Sequence, residues 1–156
     1  MRPDEARPTR TFFDPADRRE ILGRVARLAP DAPARWGKMD APRMVAHLMD
    51  QMRHALGDKP STPVPGILRL PPLRYASIYL VPWPRGRIKG PPDAFVSKPT
   101  EWGADVAALE LLVERFGRRQ IRDAWPPHAL FGRMSGRDWG AFCFKHFNHH
   151  LTQFGV

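Results

Sequence analysis

Cysteine is nearly absent: Cys143 stands alone among 156 residues, which excludes an internal disulfide framework and any zinc site built from several thiolates. A metal in this chain would have to be held by histidine and carboxylate. Long apolar runs are missing too, with nothing near the roughly 18–20 consecutive residues of a membrane helix. The opening Met1-Arg2-Pro3-Asp4-Glu5-Ala6-Arg7-Pro8 lacks the apolar stretch of a secretory signal, so a cytoplasmic protein is expected. Acidic residues are scarce, 16 against 25 basic ones, for a net charge of +9. Such an excess suits an anionic partner, because lysine and arginine release counterions when they neutralise phosphates. Yet the arginines are scattered, with no run of five basic residues. The expectation is an Arg-rich surface that favours an anionic small molecule, with no specific nucleic acid and no membrane.

What is present has the length of one domain with a real core, expected over 12–156 behind a flexible tail at 1–11. Asp14-Pro15 combines a favoured N-cap with a residue suited to the first helical position, and Ile21, Leu22, Val25 and Leu28 follow at helical spacing until Pro30. A second helix should follow Asp40-Ala41-Pro42, carry Met44, Val45, Leu48, Met52 and Leu56 inward, and end at Gly57. Residues 58–100 hold ten of the eighteen prolines, and a connection so long is often a lid or a wrapping segment. Inside it, 73–81 reads as a short helix or strand, helix preferred. Thr100 begins another helical stretch, with Val106, Leu109, Leu112, Val113 and Phe116 as its apolar stripe and Gly117 at its end. Ser135 with Asp138 is a near match to a capping box and opens the last helix. The fold class that follows is all-α: a four-helix bundle with one long Pro-rich crossover between the second and third main helices.

Three of the six histidines crowd into Lys145-His146-Phe147-Asn148-His149-His150-Leu151-Thr152-Gln153-Phe154. His146 and His150, four apart, face the same way on a helix, in one sector with Trp139, Cys143, Gln153 and Phe154. Two imidazoles on a buried face need partners, since an unpaired buried polar group costs about 1–3 kcal/mol, and a shared metal satisfies both. The segment lacks the adjacent glutamate of the His-Glu-x-x-His protease helix. His149 lies at the sector's edge. On the second helix His47, Gln51 and His54 form a polar stripe beside the apolar face, and periodicity permits His47 as a third ligand without demanding it.

Arg35-Trp36-Gly37-Lys38-Met39-Asp40-Ala41-Pro42-Arg43-Met44-Val45-Ala46-His47-Leu48, Phe131-Gly132-Arg133-Met134-Ser135 and the stretch from His146 to Gly155 resemble the DinB-like superfamily of metalloenzymes, in particular a branch known only as a domain of unknown function. Pro82-Trp83-Pro84-Arg85-Gly86 adds a softer likeness. The resemblance spans about residue 12 to the end. It implies a four-helix bundle in which one early histidine, here His47, joins a late pair, here His146 and His150, on a divalent metal. Dimers are common among such bundles, which implies a homodimer here.

Three neutral imidazoles leave a metal an open position for water or substrate, the arrangement of catalytic sites. Zinc, nickel, iron and manganese all accept such ligands. Relatives in the superfamily use low-molecular-weight thiols, so the resemblance implies a thiol-dependent S-transferase acting on a small electrophile. Alternatives are a metal-dependent hydrolase, or a non-catalytic helical interaction bundle whose histidines are held by hydrogen bonds alone. Trp83 beside Arg85, Arg87 and Lys89 is the one local hint of nucleic-acid binding. Cys143, on the same face as His146, reads as a small core hydrophobe, and Gln51 and Gln153 are candidates to orient the ligands.

Overall fold

In the computed structural model, which describes residues 9–156, every regular element is helical. The tail expected over 1–11 falls, for residues 1–8, outside the described residues. At its end the Arg10 guanidinium bonds Asp17 and Glu20, and the Thr11 amide donates to Asp17 at 2.8 Å.

Helix α1 spans Pro15–Arg27, its Asp14 cap accepting from the Ala16 amide. Helix α2 spans Ala41–Leu56 and begins at Asp40, which accepts from the Arg43 amide; it ends at Gly57, whose φ of +80° is the left-handed cap that glycine adopts without a Cβ clash. Helix α3, Pro71–Tyr75, runs on through a wider π-type turn over Ala76–Leu80, so the helix expected at 73–81 is present and starts slightly earlier. Helix α4 is Trp102–Gly117, capped by Glu101 rather than Thr100 because the Glu101 carboxylate reaches the Gly103 and Ala104 amides. Helix α5, Gly136–Gln153, opens on the full capping box: Ser135 accepts from the Asp138 amide, and Asp138 accepts from the Ser135 amide.

The apolar stripes meet in one core of buried side chains, among them Ile21, Val25, Met44, Leu48, Leu109, Phe116, Trp139 and Phe147. α2 packs on α4 and α5, and α1 packs on α4 and α5. Phe12, just ahead of α1, is fully buried edge-on to Phe116 and Phe147. No helix among the described residues is long and apolar enough to cross a membrane.

The Pro-rich crossover decides how α2 is used. Its 3-10 turn at Pro92–Phe95 lies on α2, covering the polar stripe that periodicity alone left on the flank: His47, Asp50, Gln51 and His54 are all buried. Asp50 fastens both ends of the segment. Its carboxylate accepts from Lys59 Nζ at 2.7 Å, from the Ser97 amide at 2.8 Å and from the Ser97 hydroxyl. Burial alone would raise the Asp50 carboxyl; Lys59 and Ser97 bring it below the usual carboxylate range. The middle is held by α5, where Lys145 Nζ donates to the carbonyls of Ser77 and Val81 at 2.7 and 2.5 Å, filling the acceptors at the end of the π-type turn.

Candidate metal centre

His146 and His150 project from one face of α5, as their spacing requires, and His47 reaches them from α2. His146 Nε2 lies 3.0 Å from His47 Nε2 and 3.1 Å from His150 Nε2. The three rings are mutually steep, with centroids 4.8–4.9 Å apart, so the nitrogens meet edge-on at one point. His47 and His146 are buried and His150 is half-buried.

The outer nitrogens fix which tautomers are present. His47 Nδ1 donates to the Ala94 carbonyl at 2.7 Å, and His150 Nδ1 donates to Gln153 Oε1 at 2.9 Å. Gln153 is itself held, since its Nε2 donates to the Trp36 carbonyl at 2.7 Å. Gly37 makes room for that bond: with φ at +78°, a Cβ there would stand 2.8 Å from Gln153 Nε2. With both protons spent outward, His47 and His150 each aim a bare lone pair at His146. His146 has one proton when neutral. Placed on Nε2 it serves the cluster and strands Nδ1, which is sealed from solvent with no partner; placed on Nδ1 it finds no acceptor and leaves three lone pairs face to face.

A cation resolves the shortage. Two nitrogens each about 2.0–2.1 Å from one ion stand roughly 2.8–3.4 Å apart for angles between square and tetrahedral, and the observed separations of 3.0 and 3.1 Å lie within that range. These three ligand atoms are the group among the described residues close enough together to hold an ion. Burial keeps them in the right protonation state: it lowers the pKa of His47, lowers that of His146 well below the usual histidine value with help from His150 and His47, and lowers that of His150 to about 3. All three offer lone pairs at neutral pH. The outward bonds to Ala94 and Gln153 are the orienting contacts that metal-bound histidines usually have.

The cluster opens on a cavity of about 260 Å³. Its wall toward α5 is Phe142 and His149; the crossover supplies Leu68, Val81, Trp83 and Phe95. Phe95 stacks on His47 with ring centroids 4.3 Å apart and planes 5° from parallel, while its outer side stays exposed. Trp83 is turned inward near Phe142 and His146, its Nε1 donating to the Ser77 carbonyl, and Arg85 lies over Trp36.

The remaining candidates separate cleanly. His54 contacts the carbonyls of Lys59 and Asp93 and belongs to the seam between α2 and the crossover. His149 sits between Trp36 and Trp83 at the cavity wall, outside the cluster. Cys143 is fully buried with its thiol pKa pushed up by desolvation, a core side chain. Of the two glutamines, Gln153 orients a histidine and Gln51 does not: Gln51 makes no side-chain bond to the described residues, and its Nε2 is sealed in without a partner. Two lining residues had no local signal in the sequence. Phe95 follows Pro91-Pro92, which marks a turn but says nothing of what the turn covers. His128 sits in a tight turn closed by paired bonds with Gly132 at 2.8 Å, ahead of α5 and outside either histidine helix, with its pKa lowered to about 3 by burial. No known protein-family model, no curated protein and no solved structure matches this chain.

Proposed function

We propose that this chain is a metal-dependent enzyme of the DinB-like kind, with His47, His146 and His150 as ligands of a divalent ion and the four long helices α1, α2, α4 and α5 as its bundle. The observation that carries the reading is the meeting of three Nε2 atoms at 3.0 and 3.1 Å while the outer nitrogens of His47 and His150 are committed elsewhere. Zinc, nickel, iron and manganese all suit the donor set. A divalent ion held by these three histidines would supply Lewis acidity, the chemistry that lowers the pKa of a water or thiol toward neutrality.

The chain's own residues do the positioning. Ala94 and Gln153 hold the His47 and His150 rings, and Phe95 caps the His47 face so that approach is from the cavity side. The apolar wall of Phe142, Val81 and Trp83 keeps water away from an electrophile lying there, which strengthens every charge interaction at the reacting end. Transfer of a low-molecular-weight thiol onto that electrophile stands first, on the resemblance; hydrolysis is the alternative.

The test is the metal content of tag-free protein by elemental mass spectrometry, beside His47→Ala and His150→Ala variants checked for helicity by circular dichroism. Near-stoichiometric metal in the wild type, lost in both folded variants, is the expected result. A wild type that takes up no divalent ion even after reconstitution overturns the reading and leaves a non-catalytic helical bundle.

A further inference from the structure

The charge of the whole protein and the character of its cavity point in different directions. Despite a net charge of +9, no lysine, arginine or carboxylate among the described residues lines the cavity. The nearest cations are used elsewhere: Lys145 on the Ser77 and Val81 carbonyls, Arg85 on the Trp36 ring. An ionic group away from the metal would therefore be stripped of water with nothing of opposite sign to receive it. Size adds a second limit. A cavity of roughly 150 Å³ holds one benzene ring, so about 260 Å³ takes one or two rings.

Two buried neutral polar side chains outside the cluster, Gln51 and His128, break the apolar wall beside the half-buried Ser77 and His149, and each has a side-chain nitrogen without a protein partner among the described residues. Gln51, only 3 % exposed, belongs to the cavity wall one turn after His47, its Nε2 unbonded and sealed from solvent, so a ligand reaches that donor once the terminal amide turns about its soft last torsion. His128 accepts the Leu130 and Phe131 amides on Nδ1 at 3.1 and 3.3 Å, which places its proton on Nε2, and that nitrogen has no partner among the described residues. An unbonded buried amide beside a site that needs a ligand is a group waiting for that ligand.

We infer that the occupant of this cavity is a neutral, largely apolar molecule of one or two rings carrying a hydrogen-bond acceptor such as a carbonyl, with the Gln51 amide as a donor that grips it and His128 as a second. The inference rests on the metal-enzyme reading only in calling that molecule the substrate. It places the anionic preference of the Arg-rich surface outside the cavity.

The test uses the full chain, metal-loaded and metal-depleted, titrated by ligand-observed NMR with acetophenone, benzoate and ethylbenzene. In the metal-depleted protein acetophenone should bind about tenfold or more tighter than benzoate. Gln51→Leu, which removes no bond to the protein, should weaken acetophenone about tenfold while ethylbenzene stays within about twofold. Leu68→Trp, filling the cavity from the crossover, should abolish binding of both. Benzoate binding as tightly as acetophenone without metal, or acetophenone binding that survives Leu68→Trp, overturns the inference; an equal loss of acetophenone and ethylbenzene in Gln51→Leu overturns the role given to Gln51. Metal content on the same samples reads the other proposal separately: uptake without ligand discrimination overturns this inference alone, and discrimination without uptake overturns the metal reading alone.

Discussion

His47 and Asp50 are three residues apart on α2, both buried beneath the same Pro-rich crossover, and their surroundings differ in kind. Around Asp50 every need is met within the protein: the carboxylate, with its side chain 0 % exposed, receives the Lys59 ammonium, the Ser97 amide and the Ser97 hydroxyl, with Arg53 at 3.8 Å. Around His47 acceptors outnumber protons, and the deficit ends in the unpartnered Nδ1 of His146. A buried polar network that is fully satisfied holds a fold together; one that is short of a positive charge describes what it binds. The same helix carries both, and the difference lies in what faces it: the crossover brings a cation and donors to Asp50, while α5 brings two more lone pairs to His47.

Breaking the satisfied cluster should have the largest effect. Asp50→Ala leaves Lys59 half-desolvated and frees both ends of the crossover, and a loss of about 3 kcal/mol is expected by urea denaturation, with or without metal. A loss below about 1 kcal/mol would mean that the crossover is held by packing alone.

Acid should separate the clusters by window. His150 and His128 titrate near pH 3 in the folded chain and near pH 6.5 when unfolded. Between those values the unfolded state binds more protons, so stability falls as pH falls, by about 1.4 kcal/mol per pH unit for each such histidine. Asp50, whose folded pKa is depressed, loses its contribution only as pH drops through and below about 3.9. Metal-free protein should therefore weaken already between pH 6.5 and 4.5, with Asp50→Ala showing the same slope there. A flat profile over that interval would contradict the burial of neutral histidines.

The smallest effect has the opposite sign. His146→Leu removes the unpartnered nitrogen and the crowded lone pair, so the metal-free protein should gain about 1 kcal/mol while metal uptake is lost. A less stable metal-free variant would mean that the three imidazoles satisfy one another, and the contrast with Asp50 would collapse.

Much of this was legible along the chain. The late pair could be read because spacing of four on a helix is a geometric fact independent of tertiary context, and Ser135 with Asp138 fixed where that helix begins. The caps at Asp14, Asp40 and Gly57 are likewise local. His47 was different. Periodicity set it outside the sector of Met44, Leu48, Met52 and Ala55, and only the resemblance singled it out; its burial depends on Ala94 and Phe95, which arrive from 47 residues away. The two glutamines looked alike in sequence, each near a histidine, and became distinguishable only when the Trp36 carbonyl was found on Gln153 and nothing on Gln51. His128 was out of reach, because its place at the cavity depends on how the turn after α4 folds back over α5.

By itself the sequence determined the four long helices, the caps at Asp14, Asp40, Gly57 and Ser135, and the face on which His146 and His150 stand, since these follow from hydrogen bonds and periodicities spanning four residues or fewer. The tertiary structure alone decided that the third nitrogen is His47 Nε2, that Gln153 rather than Gln51 orients the cluster, and that a basic protein keeps its charges out of its cavity. Those outcomes depend on contacts between segments dozens of residues apart, where desolvation and the supply of hydrogen-bond partners are set by what the fold brings near, and no local pattern encodes them.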